Sequence, residues 1–371
     1  MNGSEGARAE SPREAEVEAA GDLEARQAAA QSVEAGLRLL VAMPALNEER
    51  TVGEVIAGIP EKIPGIAVID VLVVDDGSTD RTGEIAREAG AKVLRHPAPR
   101  GVGAAFHSAL GYGIDQGADL IVSIDSDGQF NPADIPRLVA PVVAGEADFA
   151  TASRFADPEL VPRMPWLKLW GNRMMSRLVS RLAGATFYDV SCGMRCYSRR
   201  AALHLNLLGR FTYTQEVFLN LAFKQLRIAE VPLEVRGERS FGESRVASNL
   251  WRYALRTSQI IFRCYRDYNP LKFFGWLALL LFLPGLGLGL FLAVVYFETG
   301  SFSPYKWTGF AAAALTILAV LVFQVGLVGD LLNRHRIYLE EVLYRQRDLG
   351  SRNWGPRNSG PRNRGSGDRQ E

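Results

Sequence analysis

Cysteine is scarce. The 371-residue chain has 3 of them, Cys192, Cys196 and Cys264, an odd and low count that excludes a disulfide framework and fits a reducing compartment. Cys192 and Cys196 stand four apart with only distant histidines such as His204, so they read as packed thiols rather than a metal site. Histidine is almost as rare, with 4 residues, and none stands in the motifs described below. Net charge is nearly absent as well. Lys+Arg totals 42 against 41 for Asp+Glu, a formal +1, which argues against nucleic-acid binding through a broad basic surface. The N-terminus, MNGSEGARAESPREAEVEAA, lacks a basic start followed by an apolar run, so no secretory signal is expected there.

Large apolar side chains are missing from both ends. Residues 1–36 are rich in Ala, Glu, Arg and Gly and cannot bury enough surface to fold alone, although EARQAAAQSVEAG has good helix formers for a frayed helix. From about Gly350 the chain reads GSRNWGPRNSGPRNRGSGDRQE, a low-complexity composition expected to be disordered.

Between the ends, short apolar runs alternate with helical spacing. LRLLVAMPAL, IDVLVVDDGSTD, AKVLRHP and ADLIVSIDSDGQ read as strands, and the segments between them as helices. This rhythm predicts a mainly parallel sheet with crossover helices, an α/β fold whose ligands gather beyond the carboxyl ends of the strands.

Two late segments differ in kind. Phe273–Phe297 and Thr308–Leu332 are each long enough to cross a bilayer and carry no charge except Asp330, near the end of the second. Pro284 and the glycines are tolerated in membrane spans. The short linker Glu298–Trp307 predicts a two-helix transmembrane hairpin. Arg252, Arg256, Arg263, Arg266 and Lys272 precede it and Arg334, Arg336, Arg345 and Arg347 follow it, whereas the linker has only Lys306. Basic flanks favour the cytoplasm, so the expectation is an integral membrane protein with both termini there. Ser248–Tyr268 mixes Arg with aromatic and aliphatic residues, as suits a helix lying at the membrane surface. The expected domains are a disordered segment 1–36, an α/β domain 37–246, an interfacial segment 247–271, a hairpin 272–334 and a cytoplasmic tail 335–371, disordered from about 350.

Each polar motif follows a strand. In IVSIDSDGQFNP, Ile121–Pro132, the oxygens of Asp125, Asp127 and Gln129 alternate along the chain and can converge. They are hard donors suited to Mg²⁺ or Mn²⁺, ions that commonly bridge to phosphates. Alone, such a D-x-D is equally a solvated turn. In VVDDGSTD, Asp76, and Asp75 beside it, can accept hydrogen bonds from a base or ribose, while Gly77 permits close backbone approach. A turn and helix cap would use the same residues. In MPALNEER, Pro44, Ala45, Asn47 and Glu48 would face the same edge.

In this order the three stretches resemble the family 2 inverting glycosyltransferases of the GT-A fold, over roughly Leu37 to Val246. DSDGQFNP is similar to the metal-binding stretch of dolichyl-phosphate mannose synthases and bacterial polyprenyl-phosphate glycosyltransferases, with Ser126 inside it. TASRF resembles their Gly-Ser-Arg segment, which implies Arg154 near the diphosphate, although Ala152 stands where the family often has Gly. YDVSCGMRCYSR resembles their D-x-x-(S/C)-G-(F/Y)-R stretch, here Asp189, Cys192, Gly193 and Arg195. GERSFGESRV resembles a basic loop, here Arg239, Gly242, Ser244 and Arg245. MPWLKLWGNRMMSRL matches the acceptor helix only loosely, leaving Asn172 and Arg173. FTYTQE departs from its commonest form, with Glu216 either near sugar or acceptor or a helix-start carboxylate.

The resemblance implies a GT-A nucleotide-sugar-binding domain and a metal-dependent transfer, with inversion, from a GDP- or UDP-linked sugar to a polyprenyl or dolichyl phosphate in the bilayer. It implies Asp127, Arg154, Arg239 and Arg245 as catalytic, and Asp125, Asp127 and Gln129 as ligands for Mg²⁺ or Mn²⁺. Two other readings stay open, a related transferase acting on another lipid or glycan and a non-catalytic nucleotide-sugar-binding scaffold. Sugar, nucleotide, acceptor length and oligomeric state are not encoded in any motif.

Overall fold

The protein is described from a computed structural model that covers residues 36–205, 214–236, 258–259, 261–263 and 265–353. Its centre is a seven-stranded sheet in the order β3-β2-β1-β4-β6-β5-β7. β1 (Leu37–Ala45) lies in the middle, parallel to both β2 (Ile66–Asp75) and β4 (Leu120–Ser123), with Val41 opposite Val71 on one side and Val122 on the other. β3 (Lys92–Arg95) extends the parallel half. β6 (Arg195–Ser198) runs antiparallel between β4 and β5 (Phe149–Ser153), and β7 (Ile228–Pro232) closes the edge parallel to β5.

Near-continuous apolar sequence makes β1 and β4 fit the buried centre of the sheet. Along β1, Leu40 and Ala42 enter one core and Leu39, Val41 and Met43 the other, as the two-residue strand period requires. The first core is capped by α3 (Val102–Asp115), α5 (Trp166–Ala183), α6 (Arg199–His204) and α7 (Thr214–Phe223). The second is capped by α1 (Val52–Ala57), α2 (Thr82–Glu88) and α4 (Ile135–Val143). Helices on both faces and parallel neighbours around β1 are the architecture the sequence predicts. The antiparallel β6 is an addition to it.

The apolar segments form α8 (Pro270–Thr299) and α9 (Lys306–Asn353), both long and apolar enough to cross a membrane, packed together as a hairpin. Leu280 is 68% exposed and Phe297 86%, so the pair is not the buried helical core of a soluble domain. Such outward apolar surface fits a membrane anchor. α9 runs past Leu332, where its apolar stretch ends, and its far half packs on α3 and α6. A helix through Asn353 thus occupies much of what the sequence reading assigned to a tail.

Candidate active site

Three loops leave the carboxyl edge of the sheet and tie to one another. After β1, the Asn47 backbone (φ 53) turns left-handed and its N–H donates to Ser78 Oγ at 3.0 Å. Asn47 Oδ1 accepts from the Thr79 N–H at 2.8 Å, and the Glu48 N–H donates to Thr82 Oγ1 at 2.9 Å. The third loop joins through Ser126, whose hydroxyl donates to the Pro44 carbonyl at 3.0 Å and whose own carbonyl accepts from Thr51 Oγ1 at 2.6 Å. Pro44, Ala45, Asn47, Glu48 and Ser126 therefore share one edge, as expected, and Ser126 serves there as a loop tie.

Asp125, Asp127 and Gln129 follow β4 at this edge. Asp127 is buried, and its Oδ1 accepts the Gln129 N–H at 3.0 Å. The Gln129 carbonyl accepts the Arg236 N–H at 3.0 Å, and Phe130 bridges to Val235, so the loop is fastened to the segment after β7. Gly193 makes the room: a Cβ there would lie 2.5 Å from Asp125 Oδ2. Among the described residues no three His, Cys, Asp or Glu side chains are grouped to hold a metal ion. The side chains this loop carries, two carboxylates and an amide, are nevertheless of the oxygen-donor kind a hard divalent cation takes, and the Asp125 carboxylate is seated directly against the Gly193 backbone.

The VVDDGSTD loop is built inward. Asp75 is fully buried, with Oδ1 accepting the Ser78 N–H at 2.8 Å and Oδ2 3.6 Å from Arg95 Nε. Asp76 is 3% exposed, and its carboxylate accepts the N–H groups of Arg100 (2.9 Å) and Gly101 (2.7 Å) at the start of α3. His96 Nδ1 lies 2.6 Å from Asp76 Oδ1, and His96 Nε2 lies 2.9 Å from Ser108 Oγ. Asp76 is thus held by three protein donors, whereas Asp75 gives Oδ1 to the loop and keeps a buried Oδ2 without a hydrogen bond. Gly77 (φ 79) is where close approach is real, since a Cβ would sit 2.8 Å from the Ala98 carbonyl carbon.

A second network lies behind β5. Arg154 Nε and Nη2 donate to Asp189 Oδ2 and Oδ1 at 2.6 and 2.9 Å, and Nη2 also donates to Ser191 Oγ at 2.8 Å. The Ser191 hydroxyl lies 3.2 Å from Asn172 Oδ1 on α5. Burial alone would push the Asp189 carboxyl up, but the Arg154 charge and hydrogen bonds outweigh it and hold the group below the usual aspartate value. Glu230 on β7 accepts the backbone N–H groups of Tyr188 and Asp189, both at 2.8 Å, while burial raises its own pKa. Arg154 is thus held in place by Asp189 and Ser191.

Arg195 and Glu216 lie at the junction of β6 and α7. Arg195 is fully buried, donating to the carbonyls of Cys192, Thr214 and Val190 at 2.8, 3.0 and 3.2 Å, with the Phe149 and Phe218 rings nearby. It braces the β6–α7 junction. Glu216 is buried in the first turn of α7, in accord with its reading as a helix-start carboxylate. Arg239, Ser244 and Arg245, along with Gly242, lie outside the described residues.

Cys192 and Cys196 are buried free thiols, Cys192 pushed up to about 12 by burial first and the Asp189 charge second. They are packed, as their spacing implied. Sequence reasoning missed His96, Ser108 and Glu230. None adjoins a motif closely enough to be read with it, although His96 closes the strand β3 that faces Asp75.

The model of glycosyl transferase family 2 matches residues 40–205. A dolichyl-phosphate hexose transferase of Haloferax volcanii is 33% identical over 208 residues, 56% of this chain and 86% of that protein. A polyprenol monophosphomannose synthase of Mycolicibacterium smegmatis is 28% identical over 228 residues, covering 59% and 84%. Among solved structures, glucosyl-3-phosphoglycerate synthase of Mycobacterium tuberculosis, in complex with Mn²⁺, UDP and phosphoglyceric acid, superposes with a TM-score of 0.51 at 25% identity. That match covers 63% of this chain and 80% of that one.

Proposed function

Since the chain belongs to glycosyl transferase family 2 and is a glycosyltransferase, we propose that it moves a sugar from a GDP- or UDP-linked donor to a polyprenyl phosphate, inverting the anomeric centre. The relatives named for polyprenol and dolichyl-phosphate acceptors support the lipid phosphate, and two apolar helices beside the catalytic domain supply a way to meet it. The observation that carries the reading is the Asp125–Asp127–Gln129 loop at the carboxyl edge, with the Asp125 carboxylate packed against Gly193 and Asp127 buried.

The acceptor phosphate monoester carries about −1.5 to −2 charge at neutral pH, so it attacks without a strong general base. Direct displacement at the anomeric carbon breaks the bond to the nucleoside diphosphate and forms the sugar–phosphate bond on the opposite face. Asp125 and Asp127, with the Gln129 amide, would hold a divalent cation, which when bound offsets charge on the departing diphosphate. Asn47, Glu48 and the Gly77 turn would orient the nucleotide along the edge they share. Arg239 and Arg245 remain candidates for further phosphate contacts, since guanidinium pairs with phosphate in bidentate fashion. The basic flanks of the hairpin support a cytoplasmic side for the catalytic domain and both termini.

The test uses purified full chain in proteoliposomes. It measures divalent-dependent release of UDP or GDP on adding polyprenyl phosphate, against a panel of nucleotide sugars. Release with diacylglycerol but not polyprenyl phosphate, or no release with any donor, would overturn the assignment.

A further inference from the structure

The far half of α9 grips the catalytic domain through side chains that the transfer chemistry does not use. Glu340 Oε2 is 3.0 Å from Lys224 Nζ on the segment after α7, and Lys224 also donates to the His204 carbonyl. Burial dominates at Lys224 and holds its pKa below the usual lysine value despite that pair. The Tyr344 ring centroid lies 4.3 Å from that of His204, and Tyr344 packs against the core that α3, α6 and α7 cap. Arg347 Nη1 reaches the carbonyls of Leu203 and Leu205, at 3.4 and 3.5 Å, where α6 ends. Cationic side chains are well placed at such a helix C-terminus, because the last carbonyls have no partner within the helix.

A second grip sits where α9 emerges from its apolar stretch. Asn333 Nδ2 donates to the Tyr268 carbonyl at 3.3 Å, and the Arg336 guanidinium lies 3.9 Å above the Tyr268 ring. Tyr268 in turn packs on Phe223 of α7, the rings tilted with centroids 4.6 Å apart. One continuous helix thus runs from the second apolar segment onto the catalytic domain, and Tyr268, just before α8, is tied to both.

We infer that Lys224, Tyr268, Asn333, Arg336, Glu340, Tyr344 and Arg347 form a positioning clamp that fixes the height and tilt of the active-site edge over the membrane surface. A helix propagates a rigid register of about 1.5 Å per residue, so a docked strut sets where the site stands relative to the bilayer. Small displacements from productive geometry are expensive in rate. The inference rests on the lipid-phosphate reading: the clamp matters for an acceptor that is itself fixed at the bilayer, and not for one that diffuses freely.

The experiment compares the full chain with Tyr344→Ala/Arg347→Ala and with Tyr344→Phe, in proteoliposomes. Each is assayed with a long polyprenyl phosphate embedded in the bilayer and with a short, water-soluble isoprenyl phosphate. The double variant should lose roughly tenfold to a hundredfold in kcat/KM toward the embedded acceptor and stay within about twofold of the parent on the soluble one. Tyr344→Phe keeps the ring contact and should match the parent on both. Equal losses on the two acceptors would reduce the clamp to a folding element, and an undiminished rate on the embedded acceptor would eliminate it. Failure of the parent chain on either isoprenyl phosphate would instead refute the acceptor assignment.

Discussion

His96 Nδ1 lies 2.6 Å from Asp76 Oδ1, and the same carboxylate accepts two backbone N–H groups at the start of α3. Asp76 thus links the end of β2, the end of β3 and the helix that follows. Replacing a side chain that satisfies helix N-terminal donors costs about 0.5–2 kcal/mol. Asp76→Ala is expected to lower the thermal midpoint by several degrees. His96→Gln, which retains one polar contact, should lower it less and raise KM for the nucleotide sugar more than it lowers kcat. Calorimetry together with donor-saturation kinetics measures both.

Asp127 is buried at the loop that follows β4, and its Oδ1 holds the Gln129 N–H. Asp127→Asn preserves shape and hydrogen bonding but removes the charge a divalent cation needs. Transfer should fall by about 10²-fold or more, the scale of losing one electrostatic stabiliser of a leaving group. The thermal midpoint in chelator should stay close to the parent's. A parental rate in the variant, or in excess chelator, would contradict the role given to this loop.

Gly193→Ala adds one methyl 2.5 Å from Asp125 Oδ2, a distance no carbon–oxygen pair adopts without movement. The fold is expected to persist, since the Asp125 carboxylate can give way more easily than backbone. The Mn²⁺ concentration for half-maximal activity should rise at least several-fold, as read from a metal titration of the rate.

Arg154→Ala would strand the Asp189 carboxylate, which is fully buried, without its bidentate partner. Breaking such a pair from one side costs about 3–5 kcal/mol. The pH dependence has a definite sign. The folded pKa of Asp189 is depressed, so its contribution is complete above the ordinary aspartate value, about 3.9, and is lost as pH falls through the lower folded value. Melting the parent and Asp189→Asn between about pH 6 and pH 3 should show the gap between them closing on the acid side.

The parallel half of the sheet was legible because its strands are apolar runs ending in Asp, Gly and Asn, signals of period and turn chemistry that act locally. The same locality placed the Asp125–Gln129 loop and the Asn47 turn on one edge. The antiparallel β6 left no such trace. RCYS is four residues long, and its direction is set by pairing with β4 and β5 rather than by its own pattern. The motifs singled out Arg154, Asp76 and Arg195 as charged residues but carried no sign of what holds them inside the protein. Their partners, Asp189, His96 and the carbonyls around Arg195, come from distant sequence and were visible only after folding. For the same reason, nothing in IYLEEVLYRQRD separated a docking helix from a solvated one: its partners belong to α3, α6 and the Lys224 segment.

The insertion of β6 between β4 and β5 orders events during synthesis. β5 leaves the ribosome first yet has no edge to join until β6 exists, whereas β1 to β4 can pair as soon as they emerge. Nascent chains halted before Gly193 should therefore expose the acidic loop after β4 without its lid of backbone. Both apolar helices follow still later, so the sheet can be complete before either one engages the translocation machinery.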